Sequence, residues 1–184
     1  MWLALLSCTL IMGGVLAAYS FIAPLLIDRA GLPSNLVPLA LVGFGVGALI
    51  GSFLGGRLGD THPYTTTLSA TAATAIILLA ICILSEQALP TVILVTLLGL
   101  TSMTVNPVLI ALAVKFAGNA PTLASALSTS AFNLGTAVGS WIAGRALETE
   151  LAELGPPVVG TVITTLTPSP SSAGTRCSAS QPKA

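Results

Sequence analysis

The chain has 184 residues, of which 54% are hydrophobic and only 7% charged, and its formal net charge is zero. A soluble domain carries roughly 25% charged residues, so this composition cannot clothe a water-facing surface. No basic or aromatic-basic patch is present, which excludes nucleic-acid binding.

The charges cluster at Asp28 and Arg29, Arg57 and Asp60, Glu86, Lys115, and Arg145 to Glu153, followed by Arg176 and Lys183. The uncharged runs between them are about 20 residues or longer, enough at 1.5 Å per residue to cross a hydrocarbon core of about 30 Å. The first predicted helix spans 2–27. Its Val15-Leu16-Ala17-Ala18 stretch imitates a signal-peptide cleavage site. However, no positive charge precedes the apolar run and hydrophobicity continues through Phe21 to Ile27, so a transmembrane helix is expected. Four more helices are predicted at 36–58, 65–84, 90–114 and 121–147, with short connections that make neighbours antiparallel. Each connection carries a charge or breaker: Gly31 and Pro33, Gly59 to Pro63, Glu86 to Pro90, and Lys115 to Pro121.

After Pro156 and Pro157 a sixth apolar stretch, 157–167, gives out within about ten residues, too few to span a bilayer. The last segment, 168–184, is rich in Pro, Ser and Ala and is expected to be a disordered tail. A truncated or frame-shifted last helix and a natural cytoplasmic tail both fit this change of character. Arg57 and Lys115 fall on one side of the membrane and Arg29 and Arg145 on the other. A cytoplasmic tail carrying Arg176 and Lys183 would place the N-terminus inside as well.

Gly43, Gly47, Gly51 and Gly55 recur every four residues on the second helix, and Ala131, Gly135, Gly139 and Ala143 repeat the pattern on the fifth. Such stripes let a partner helix approach closely and by themselves say nothing about a substrate. On the fourth helix Asn106 precedes Pro107, so a polar side chain and a freed carbonyl meet near mid-membrane. That pair reads either as a packed kink or as a cavity-lining point, and Asn133, beside Phe132 and Ser130, admits the same two readings. Tyr19 and Ser20, ahead of Pro24, are further candidates for a cavity.

No acidic residue falls convincingly within a predicted helix, so the chain alone lacks the ionisable group an ion-coupled carrier uses. His62, between Asp60 and Pro63, is expected at the surface. Cys8, Cys82 and Cys177 have neither metal nor disulfide spacing and are expected to be inert. With no paired carboxylates, nucleophile and base, metal cluster or phosphate loop, neither an enzyme nor a cofactor or metal is expected.

Three stretches resemble the major facilitator superfamily, specifically its bacterial drug:proton antiporters of the arabinose-efflux and chloramphenicol-resistance type. YSFIAPLL, Tyr19 to Leu26, is similar to that family's seventh helix. FGVGALIGSFLGGRLGD, Phe44 to Asp60, resembles its eighth helix and the following G-x-L-a-D loop motif, through Gly56, Leu58 and Asp60. Thr61, His62 and Pro63 then depart from the basic and glycine residues usual there, which implies a weaker charge lock. The most specific stretch, APTLASALSTSAFNLGTAVGSWIAG, Ala120 to Gly144, resembles the eleventh helix almost throughout. The resemblance implies an all-α polytopic transmembrane bundle in the cell inner membrane, one six-helix half of the fold with its last helix incomplete. It implies Tyr19, Asn106, Phe132 and Asn133 as candidate cavity residues, beside Ser20 from its place before Pro24, and a small amphipathic substrate such as a drug or sugar.

Two functional expectations follow. In the first, the chain is the C-terminal half of a proton-coupled efflux permease, its partners being the lipid bilayer and either a first-half domain or a second copy of itself. In the second, it is a non-transporting membrane remnant or interaction module, since the family's first half and its usual coupling residues are absent from this sequence.

Overall fold

The computed structural model describes residues 2–117, 120–148 and 154–167, with side chains from residue 5 onward. The regular elements among them are all helical: α1 (Trp2–Ser20), α2 (Ile22–Pro24), α3 (Val37–Thr61), α4 (Pro63–Leu84), α5 (Ala88–Phe116), α6 (Pro121–Leu147) and α7 (Gly155–Thr165). A π-helical turn, Leu25–Arg29, follows α2, and a 3-10 turn, Ser34–Leu36, leads into α3. The predicted disordered tail, 168–184, lies outside the described residues.

The prolines that punctuate the sequence also start its helices. α3, α4, α6 and α7 each carry proline in the first two positions, where the fixed φ suits a helix and the missing N–H would have had no partner. The residue before a proline is pushed out of the helical region. His62, at φ −139° and ψ 65°, is accordingly the single residue separating α3 from α4. α3 therefore runs through Asp60 to Thr61, past the end at 58 that the glycines suggest.

The segment 2–27, expected as one helix, is bent by 45° where α1 meets α2. Pro24 is the cause: it offers no N–H to the Ser20 carbonyl four residues back, and its ring crowds that same carbonyl. α1 ends at Ser20, and the Phe21 amide turns in tightly to donate to the Ala18 carbonyl at 3.3 Å. The π turn is closed by Ala30, whose amide donates to Leu25 at 3.0 Å. Gly31, at φ 66°, then lets the Leu32 amide reach back to Leu26 at 2.8 Å.

α5 lies at the centre of one group, packed between α3 and α4, while α1 packs against α6 and α7; α4 with α7, α1 with α5 and α5 with α6 join the two groups. Ile11, Met12, Val15, Leu25, Leu26, Leu78, Ile81, Val95, Leu98 and Leu109 form the shared buried core. Three seams bring backbones together, one of them where Gly14 of α1 and Gly160 of α7 each lie against the other's carbonyl oxygen. A Cβ at Gly47 would run into the Thr96 carbonyl oxygen, one at Gly51 into that of Leu100, and one at Gly55 into that of Thr104. A row with period four on α3 thus meets a row with period four on α5, the commonest ridge-into-groove arrangement. On α6, Gly135 lies on the Thr9 backbone and Gly139 on the Gly13 backbone, with Ala131 half-buried and Ala143 fully buried. Lipid supplies no hydrophobic drive between helices, so this close van der Waals contact is what holds them.

Ser34–Thr61, Pro63–Leu84 and Ala88–Phe116 are long and apolar enough to cross a membrane, and the bent pair Leu5–Ser20 with Ile22–Arg29 makes a fourth. α6, at 27 residues, has the length but not the hydropathy.

Candidate functional site

Small and polar residues lower the hydropathy of α6 on both its buried and its exposed sides. Its buried face, with Ala124, Ser128, Gly135, Gly139 and Ala143, turns to the bundle. On the opposite face Ala126, Thr129, Ser130, Asn133 and Ala137 are all exposed. Leu123, Leu134, Val138 and Trp141 make an exposed apolar sector beside it. Thr129 donates its hydroxyl to the Ser125 carbonyl at 3.2 Å and Ser130 donates to the Ala126 carbonyl at 3.0 Å. These hydroxyls have spent their protons on the helix and present only lone pairs outward. Asn133 has no such outlet; its amide faces outward with two donors and an acceptor. An amide left unpaired in a medium that cannot hydrogen-bond costs roughly 2–7 kcal/mol, so this face suits a wet or protein-covered surface and not lipid.

The other candidate residues sit on different faces. The half-buried Tyr19 ring stacks on Phe44 of α3, with centroids 4.1 Å apart and planes at 27°. Ser20 Oγ lies 3.0 Å from Ser140 Oγ, tying the end of α1 to α6. Phe132 packs half-buried against the core, on the bundle side of α6. Asn133 is about two helical turns, roughly 10 Å, along α6 from Ser140. Asn106 is half-buried, and its Oδ1 is wholly enclosed without a hydrogen-bond partner. Among the described residues no hydrogen bond joins either asparagine to the Tyr19 and Ser20 end. Sequence reading did not single out Phe44 or Ser140, whose roles come only from tertiary pairing.

Gly56, Leu58 and Asp60 are exposed in the last turns of α3, and a Cβ on Gly56 would meet nothing. Arg57 lies over the Phe53 ring at 4.6 Å. Thr66 anchors the α3 end, donating to the carbonyls of His62 at 2.8 Å and Leu58 at 3.3 Å. Every Asp, Glu, Lys and Arg among the described residues lies in the last turns of a helix or between helices. No group of three or more His, Cys, Asp or Glu among the described residues could hold a metal ion. Cys8 and Cys82 are free.

No family model matches the chain, and no solved structure matches it. Named proteins do. A chloramphenicol resistance protein of Streptomyces lividans is 32% identical over 154 residues, which is 84% of this chain and 39% of that protein. The inner membrane transport protein YdhP of Escherichia coli K12 is 31% identical over 160 residues, 87% of this chain and 41% of that protein. An uncharacterized MFS-type transporter, YtbD of Bacillus subtilis, is 29% identical over 136 residues, 72% of this chain and 34% of that protein. The chain belongs to the major facilitator superfamily. It is a multi-pass protein of the cell membrane, and its relatives are membrane transport proteins. It spans about two-fifths of the length of the first two of these relatives.

Proposed function

We propose that the chain is the C-terminal half of a major facilitator efflux permease, which exports small amphipathic compounds in exchange for protons when joined to a first-half domain or to a second copy of itself. The observation that carries this reading is the exposed polar face of α6 around Ser130 and Asn133. A membrane helix that turns an amide away from its own bundle needs either water or another protein surface opposite it. In this reading the bent α1–α2 segment, α3, α4, α5 and α6 cross the membrane, with α7 as a short sixth helix. Asn133 and Ser130 border the substrate path, and Tyr19, Ser20, Asn106 and Phe132 support it from within the bundle. The relative from Streptomyces lividans, named for chloramphenicol resistance, supports an amphipathic substrate. In the pairing with a first-half domain, the ionisable group that carries the proton comes from that domain, because among the described residues this chain's charges lie toward helix ends. The reading makes the protein a carrier and not an enzyme.

The test is drug accumulation in an efflux-deficient cell that expresses the chain alone or with a first half from a related permease. Accumulation should fall only when both halves and the proton gradient are present, and Asn133→Leu should abolish that fall while leaving the chain in the membrane. Unchanged accumulation in the paired cells would sink the transporter reading. Gradient-dependent export by the chain alone would show a homodimer with its own coupling group.

A further inference from the structure

We propose that Arg29 is a latch that holds the outer segment of the first span, Ile22–Arg29, against the turn between α4 and α5, and that this segment swings at the Phe21 bend when the latch opens. The role assigned to the movement rests on the transport reading above; the latch itself rests on geometry.

The segment is fixed at both ends by directional contacts. Just before the bend, Tyr19 stacks on Phe44 and Ser20 meets Ser140. At the far end Arg29 Nε donates to Ser85 Oγ at 2.8 Å, and Arg29 Nη2 lies 3.5 Å from a Glu86 carboxylate oxygen. Ser85 is buried and oriented: its own hydroxyl donates to the Cys82 carbonyl at 3.2 Å, which leaves a lone pair aimed at Arg29. Glu86 is 78% exposed, so its pairing with Arg29 is weakened by solvent. The buried serine therefore sets the position and the glutamate only assists. Between the two fixed ends the segment is held by Ile22, Leu25 and Leu26, all buried in the core. Apolar contacts of this kind have no fixed direction, so they permit the segment to slide or turn while remaining covered. The π turn at Leu25–Arg29 departs from regular helical bonding at the point where the latch engages.

The test uses the full chain in lipid nanodiscs, with Cys8, Cys82 and Cys177 replaced by alanine and spin labels at the exposed positions Ile27→Cys and Gln87→Cys. One dominant distance is expected. Arg29→Ala and Ser85→Ala should each add a longer population, with the ratio of open to closed rising about tenfold, as expected for losing a hydrogen bond to a charged group. Glu86→Gln should move it less. Arg29→Lys should fall between the native chain and Arg29→Ala, because its ammonium keeps the charge toward Glu86 but has no donor at the Nε position. Unchanged distances in Ser85→Ala would overturn the proposal, as would Glu86→Gln reproducing the full effect. Ser85→Ala loses a single oxygen, so it keeps the question decidable if Arg29→Ala does not fold. The distances are read without transport, so failure of the latch and failure of the efflux reading appear in separate experiments.

Discussion

Gly51→Ala, but not Gly45→Ala six residues earlier on α3, should destabilise the protein. A Cβ at position 51 falls on the Leu100 carbonyl oxygen of α5, a backbone atom that no rotamer change can clear, whereas a Cβ at position 45 meets nothing within 4 Å. Ordinary van der Waals contact begins at 3.4 Å, so α3 and α5 must separate to admit the methyl at 51. Parting the seam weakens the neighbouring contacts at Gly47 and Gly55 too. Overpacking of this kind costs about 1–3 kcal/mol, which for a chain of this length lowers the melting temperature by roughly 2–12 °C. Gly45→Ala should be neutral, or stabilise by about 0.5–1 kcal/mol through helix propensity. Gly43→Ala should be milder than Gly51→Ala, because its Cβ would meet the Thr96 Oγ1 side-chain atom, at 2.6 Å, instead of backbone. The assay is the fraction of monodisperse protein remaining after heating in detergent, followed by size exclusion. Equal losses at 45 and 51 would refute the claim that the seam is held by backbone approach.

Gly31→Ala should cost about 1 kcal/mol, the penalty for placing an L side chain in the left-handed region. No atom lies within 4 Å of a Cβ at Gly31, so Gly31→Asn should cost less. The same heating assay distinguishes the two. Ser20→Ala and Ser140→Ala should each lower stability by roughly 0.6 kcal/mol, the average for a side-chain hydrogen bond between membrane helices. The double variant should lose little more than either single one, since both remove the same 3.0 Å contact; additive losses would mean the pair does not interact.

The fold class was legible in the sequence because charge-free runs of membrane length leave a chain few choices. The bend at Phe21 was legible in principle: Pro24 dictates a break at Ser20, but an uninterrupted apolar run to Ile27 hides it. The end of α3 depends on a smaller cue. Gly59 and Asp60 read as turn formers, yet the structure keeps both helical and Pro63 confines the break to His62. For the candidate site, the positions of Gly135 and Gly139 two and six residues after Asn133 place the asparagine on the other side of α6, since each residue turns about 100°. The pairings of Ser20 with Ser140 and of Arg29 with Ser85 span 120 and 56 residues. Nothing local signals such contacts.

The hydroxyl-rich composition of these helices overstates how polar they are. Thr67, Thr74, Thr91, Thr96, Ser102, Thr104, Ser128 and Thr164 each return their hydroxyl to a carbonyl four residues earlier, satisfying it within the helix. An asparagine side chain cannot be satisfied this way in full. Asn106 Oδ1, along with the hydroxyls of Thr71 and Thr167, is among the buried side-chain oxygens without a partner in the described residues. A buried acceptor without a donor costs about 1–3 kcal/mol, and replacing it with an apolar group of similar shape removes that cost. Asn106→Leu should therefore raise the stability of the isolated chain by about 1 kcal/mol. If Asn106 serves the substrate path, the same change should reduce export by the paired halves in the accumulation assay. A fall in stability would show that Oδ1 has a partner, such as an enclosed water. A gain in stability with export intact would remove Asn106 from the path and leave Asn133 as the amide through which this chain meets what lies outside it.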